Sequence, residues 1–222
     1  MESFEKQNRL VAMAVLLFAF LIYLKTVAPT VTFWDTGEFI AASHILGVPH
    51  PPGAPFHTLL GRFFSMLPIP GEIAFRVNII SVFAAAVTVL LIYLCVVRLI
   101  SIWLDTSQTV DRIAIFAGGA VGALSTAFST SFWSNATEAE VYALSMMLTL
   151  LAFWLALRWD GNPGEKNRDR LLIFIVYLFG LGAGVHLQCL LTIPGILILI
   201  FTDLLRTHRQ KDQVTVVLAL IL

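Results

Sequence analysis

The sequence predicts an all-α polytopic membrane protein with about six to seven transmembrane helices. Three observations carry that prediction. The chain is 58% hydrophobic and only 13% charged, where a soluble domain carries about 25% charged residues. Its apolar residues gather into runs close to the ~20 residues that a helix needs to cross a bilayer. Its basic residues then sort to one side of those runs, as charge does when helices insert with their positive flanks inside.

Taken in order, the runs lie at residues 10–24 with their flanks, 76–99, 113–132, 141–159, 171–185 and 190–205, with a seventh at 214–222 broken off in mid-pattern. The chain is thus expected to be the N-terminal transmembrane portion, residues 1–222, of a longer protein. No small-residue cleavage pattern follows the first run, which marks an uncleaved anchor. Placing the N-terminus in the cytoplasm leaves only Lys25, Arg62 and Arg76 outside among the 14 basic residues. The net charge is zero, and without a basic block there is no support for nucleic-acid binding. Cys95 and Cys189 lie in apolar segments and read as core. No charge falls deep in a span, against a proton pump or ion channel, which keeps such residues for function. The Gly118-Gly119 and Gly122 cluster, and Gly180, Gly182 and Gly184, mark close helix packing.

With this topology Asp35, Glu38, Glu72, Glu138, Glu140, His44, His50, His57 and His186 all reach the outer side, from three separate loops. The first outer loop, about residues 28–75, is too long for a plain connection and is expected to carry structure or function. It reads as two short interfacial helices. The first runs from near Thr36 to Leu46, with Asp35 as N-cap and Gly47 as its stop. The second runs from about Ala54 to Leu67, opened by Pro55 and ended by Pro68. Its apolar face (Phe56, Leu59, Leu60, Phe63, Phe64, Leu67) is expected against the membrane, with His57 and Arg62 turned to water or a lipid headgroup. Between the helices the string Val48-Pro49-His50-Pro51-Pro52-Gly53 is stiff, because each proline fixes its own φ and restricts its predecessor. Stiffness suits a His50 that holds a ligand without new ordering entropy.

Each candidate has a bland alternative. Asp35 with Glu38, and Thr137 with Glu140, both fit a capping box. Glu138 is freer to face a cavity. Asp35 could equally be a general base, a role worth about 10²–10⁴-fold. Tyr142 could hydrogen-bond a sugar, His186 could be an ordinary interfacial residue, and Arg76 could snorkel or bind a phosphate through paired donors. No metal-type Cys/His spacing or cluster of metal carboxylates shows in the loops, so no metal is expected.

The stretches PTVTFWDTGEFIAA (29–42), VPHPPGAP (48–55) and FWSNATEAEVY (132–142) resemble the loop motifs of a bacterial multi-pass membrane family. That family, formerly a domain of unknown function, is related to eukaryotic protein O-mannosyltransferases. The resemblance implies a glycosyltransferase of the C fold (GT-C). Such an enzyme passes a sugar, here mannose-like, from a polyprenyl-phosphate carrier to a hydroxyl acceptor, normally with inversion. It further implies Asp35 as catalytic base with Glu38 beside it. The carrier phosphate would be met by His50, Arg62 or Arg76, and a substrate cavity would be completed by His57, Glu138, Tyr142 and His186. The lipid-linked donor is a substrate and no cofactor is implied; the partners are that donor, a protein or glycan acceptor, and membrane lipid. The implied location is a bacterial inner membrane, N-terminus cytoplasmic and active face periplasmic. The rival classes are a transporter or flippase using the same groups for binding, and a non-catalytic envelope scaffold in which Asp35 and Glu38 are plain caps.

Overall fold

The structure is a computed structural model that describes residues 2–161, 168–203 and 205. It is all-helical over those residues. Helix α1 spans Glu2–Thr26, α2 Thr36–Ile45, α3 Pro55–Met66, α4 Ile73–Ile100, α5 Thr109–Ala127, α6 Thr130–Thr137, α7 Val141–Asp160 and α8 Arg170–Ala183. A 3-10 turn over Leu187–Thr192 leads into a helix over residues 193–203. Helices α1, α4, α5 and α7 are long and apolar enough to cross a membrane. The expected fifth and sixth spans correspond to shorter apolar helices, Arg170–Ala183 and Leu187–Asp203. At 1.5 Å per residue, the 14 residues of α8 reach about 21 Å, short of the ~30 Å hydrocarbon layer. The seventh run lies outside the described residues.

Helix α4 is the axle. Val77, Val82, Ala85 and Val89 are fully buried along it, and α1, α3, α5, α6 and α7 all pack on it. Small residues set the spacing. A Cβ on Gly119 would sit 2.7 Å from Val97 Cγ2, and one on Gly182 2.6 Å from Cys189 Sγ, so both glycines mark close contacts. A Cβ on Gly180 would have no neighbour within 4 Å among the described residues. The third span also ends earlier than expected. Helix α5 stops at Ala127, and α6 starts anew after Ser129, whose hydroxyl donates to Thr126 O at 2.8 Å.

The first loop folds into two short helices, as expected, but the polar face of α3 is turned against protein and not to water. Its polar residues His57, Thr58, Gly61 and Ser65 are buried, whereas Leu59, Phe63 and Met66 are exposed. The expectation that His57 faces water or a headgroup is therefore wrong: its ring is fully buried, edge-on to Phe39 at 5.3 Å. The reason is steric. Gly61 has no side chain, so α3 closes on α2 and α4 until a Cβ there would lie 2.6 Å from Ser43 Cβ and 3.5 Å from Val77 Cγ1. Small polar groups fill that tight seam, and the bulky apolar ones are left outside.

Candidate functional site

Three loops meet at one end of the bundle. Ala28 N donates to Thr137 O at 3.0 Å, joining the first loop to the second, and Phe56 N donates to Gly184 O at 2.7 Å, joining it to the third. Buried Asn78, in the first turns of α4, donates from Nδ2 to Ala28 O at 2.9 Å and Thr30 O at 3.3 Å. An amide so placed satisfies loop carbonyls that would otherwise be stranded at the top of an apolar helix.

On this platform two carboxylate pairs converge. The link between α6 and α7 is extended at Glu138 and Glu140. Alternate residues of an extended chain point the same way. Ala139 accordingly faces inward, fully buried against Ile40, Ala74, Val77 and Ile80, while both acids face the first loop. There Thr32 Oγ1 donates to Glu138 Oε2 at 2.8 Å and Thr36 Oγ1 donates to Glu140 Oε1 at 3.4 Å. Neither expected capping box forms. Asp35 and Glu140 stand at helix N-caps without a side-chain capping bond, and Thr137 donates to Trp133 O and Ser134 O instead. Glu140 is drawn off by Thr36 of the first loop and Glu38 by His50, partners that local spacing does not reveal.

Glu38 serves His50. Its Oε1 accepts from His50 N at 2.6 Å and its Oε2 lies 2.8 Å from His50 Nδ1. That bond holds the Glu38 carboxyl below its ordinary range, and it raises the imidazole, helped by the charges of Asp35 and Glu140. Glu140 is half-buried and is pushed up by desolvation first, then by the charges of Asp35 and Glu138. Asp35 is exposed, and its carboxylate makes no hydrogen bond among the described residues. It follows Trp34, which holds φ +62° and stands 92% exposed. Such a left-handed conformation is uncommon outside glycine and draws notice beside a candidate site. Asp35, Glu38 and His50 each offer a ligand atom within 4.8 Å of the others, a set with the chemistry to hold a metal ion. Loop spacing alone gave no sign of that trio.

The family model for the Protein O-mannosyl-transferase TMEM260 N-terminal domain matches residues 35–210, starting at Asp35 itself. The chain belongs to this family. The Protein O-mannosyl-transferase TMEM260 of Mus musculus is 32% identical over 147 residues, covering 66% of this chain and 19% of that protein. The tmem260 protein of Dictyostelium discoideum, bearing the same description, is 30% identical over 150 residues, covering 65% and 17%. The chain thus spans less than a fifth of the length of these curated relatives. No solved structure matches. The loop motifs therefore belong to an O-mannosyltransferase-related family, of which the TMEM260 relatives are eukaryotic members.

The other expected site residues of this TMEM260-type domain are placed apart from the acids. Arg62 donates to His44 O, and Arg76 donates to Ser65 O at 3.3 Å and Gly71 O at 3.2 Å. Neither forms an ion pair with an acid among the described residues. Arg76 lines a groove of about 600 Å³ with Glu72, Ile73 and the Gly37, Ile40, Ala41, His44 face of α2. Asp35, Glu38, Glu138 and Glu140 are not among the residues that line this groove. His57 lies behind Phe39, whose ring also meets His50 at 5.6 Å. Burial drops the His57 imidazole to about 4, so it is neutral at physiological pH. Tyr142 and His186 form a third group, rings 5.2 Å apart. Sequence reasoning underrated Glu140 and missed Thr32, Thr36 and Asn78. The alternating Glu138-Ala139-Glu140 was the available signal for the first, and an amide opening an apolar span was the signal for the last.

Proposed function

We propose that this chain forms the N-terminal part of a membrane glycosyltransferase of GT-C type. It passes mannose, the sugar named by its relatives' descriptions, from a polyprenyl-phosphate carrier to a Ser or Thr hydroxyl of a protein on the outer face. The observation that supports this best is the meeting of Asp35 with Glu38, Glu138 and Glu140 at one rim, contributed by loops about a hundred residues apart. A plain cap would be occupied by its own helix, yet Asp35 makes no capping bond. Asp35 takes the proton from the acceptor hydroxyl as that oxygen attacks the anomeric carbon with inversion, and the carrier leaves as a polyprenyl phosphate. Glu38 is occupied by His50, which holds its carboxyl below the ordinary range. The carrier carries one phosphate and no metal is used, so transfer survives EDTA; loss on chelation and return with a divalent cation would reassign Asp35, Glu38 and His50 to a metal.

The test is transfer of radiolabelled mannose from a polyprenyl-phosphate donor to protein by the purified protein in nanodiscs. Labelled protein is the expected product. In sealed vesicles, movement of the intact lipid donor without transfer would instead identify a flippase.

A further inference from the structure

A second cavity, of about 310 Å³, opens at the junction of α5, α6, α7 and the 3-10 turn. Its size lies at the lower end of the range for small-molecule sites, about 300–1,000 Å³. Every residue lining it is neutral: Thr126, Ser129, Ser131, Phe132 and Asn135 on one side, Tyr142, Ala143, Met146 and Gln188 on the other. It begins two residues beyond Glu140, at the first turn of α7.

The hydrogen-bonding groups there fall into two kinds. Thr126 Oγ1 donates to Gly122 O at 3.1 Å, Ser129 Oγ to Thr126 O at 2.8 Å and Asn135 Nδ2 to Ser131 O at 2.7 Å. With those protons used on the backbone, their oxygens remain as acceptors. The Ser131 hydroxyl, the Tyr142 hydroxyl and the Gln188 side-chain amide make no hydrogen bond among the described residues, leaving donors and acceptors open. His186 shapes this wall. Its Nδ1 accepts from Gln188 N at 3.2 Å, and its ring packs on that of Tyr142. Phe132 and Tyr142 add aromatic surface at the rim.

We infer that this cavity is a binding subsite for one neutral hexose-type sugar unit, read by Tyr142 and Gln188, with His186 as the positioning residue. A sugar hydroxyl both donates and accepts, so it needs the mixture that these walls present. A phosphate or carboxylate would need a cation, and no lining residue carries one. A lipid chain would strand several polar groups. The choice of mannose as probe rests on the transferase reading above; the cavity and its chemistry do not.

The experiment is ligand-observed NMR of mannose binding to the protein in phospholipid nanodiscs free of sugar-headed detergent, comparing wild type with Tyr142→Phe, Gln188→Leu and Asp35→Asn. Tyr142→Phe keeps the ring against His186 and removes the hydroxyl. Gln188→Leu keeps the volume and removes the amide. Each should weaken mannose binding about tenfold, the worth of one hydrogen bond to a ligand. Asp35→Asn should leave binding unchanged, and mannose 1-phosphate should bind no better than mannose. Wild-type affinity in both wall variants, tighter binding of the phosphate, or no mannose signal from wild type would each overturn the inference. Gln188→Leu decides alone if Tyr142→Phe does not fold. If Asp35→Asn still transfers while binding depends on Tyr142 and Gln188, the base assignment falls and the subsite stands. If Asp35 is essential but both wall variants bind normally, only the subsite falls.

Discussion

Replacing Asp35 with Asn isolates chemistry from folding, because the structure gives the carboxylate no structural duty. Its side chain caps nothing and makes no hydrogen bond among the described residues, and it is exposed. Asn has the same shape and is an equally good N-cap residue. The expected change in stability is therefore that of a neutral surface substitution, within about 0.5 kcal/mol, and melting in nanodiscs should match wild type. The chemistry should suffer far more. A positioned base contributes about 10²–10⁴-fold, which corresponds to about 2.7–5.5 kcal/mol in barrier height. Loss of the Asp35 charge should also relax its neighbours: Glu140 and His50, both raised in part by Asp35, should each titrate lower than in wild type. The assay is initial rate of mannose transfer at saturating donor, paired with a thermal melt and NMR titration of the His50 ring. A variant that melts normally and transfers within threefold of wild type refutes the base assignment. One that loses transfer and also melts much lower shows that Asp35 has a structural role that the geometry does not contain.

Two further predictions follow from the same geometry. Gly61→Ala places a methyl 2.6 Å from Ser43 Cβ and should destabilise the protein by about 1–3 kcal/mol through overpacking; Ser43→Gly on top of it should restore much of the loss, and an unchanged melt for the single variant would mean that α3 does not turn its polar face inward. The Glu38–His50 pair should show a pH window. His50 is raised, so its stabilisation is complete below its ordinary 6.5 and fades as pH rises through the raised value. Glu38 is lowered, so its contribution is present above its ordinary 4.5 and fades as pH falls through the depressed value. The His50 ring should therefore titrate above 6.5 by NMR and drop back in Glu38→Gln, and an identical titration in both proteins would show that the pair does not form in solution.

Much of the first loop was legible before any coordinates. The start of α2 after Asp35, and Pro55 and Pro68 around α3, are local signals, because a proline acts on its own few residues whatever the rest of the chain does; the left-handed residue that ends α2 is Leu46 and not the expected Gly47. Long apolar runs are equally local, and α1, α4 and α7 lie close to where hydropathy put them. What the polar face of α3 packs against was not legible. Its two faces are plain in the sequence, but which one meets protein depended on Gly61, Ser43 and Val77 coming together from three helices.

The sequence by itself determined that this chain is helical and apolar enough for a bilayer, which loops carry its acids and imidazoles, and which family its motifs match, because these follow from composition and short-range spacing. Only the tertiary structure decided who faces whom. It left Asp35 and Glu140 at N-cap positions without capping bonds, tied Glu38 to His50, buried His57 behind Phe39, and set Tyr142 against His186 instead of among the carboxylates. The physical reason is that a side chain's partner is chosen by the close approach of whole helices, and in this fold that approach is governed by glycines and alanines whose own chemistry is silent.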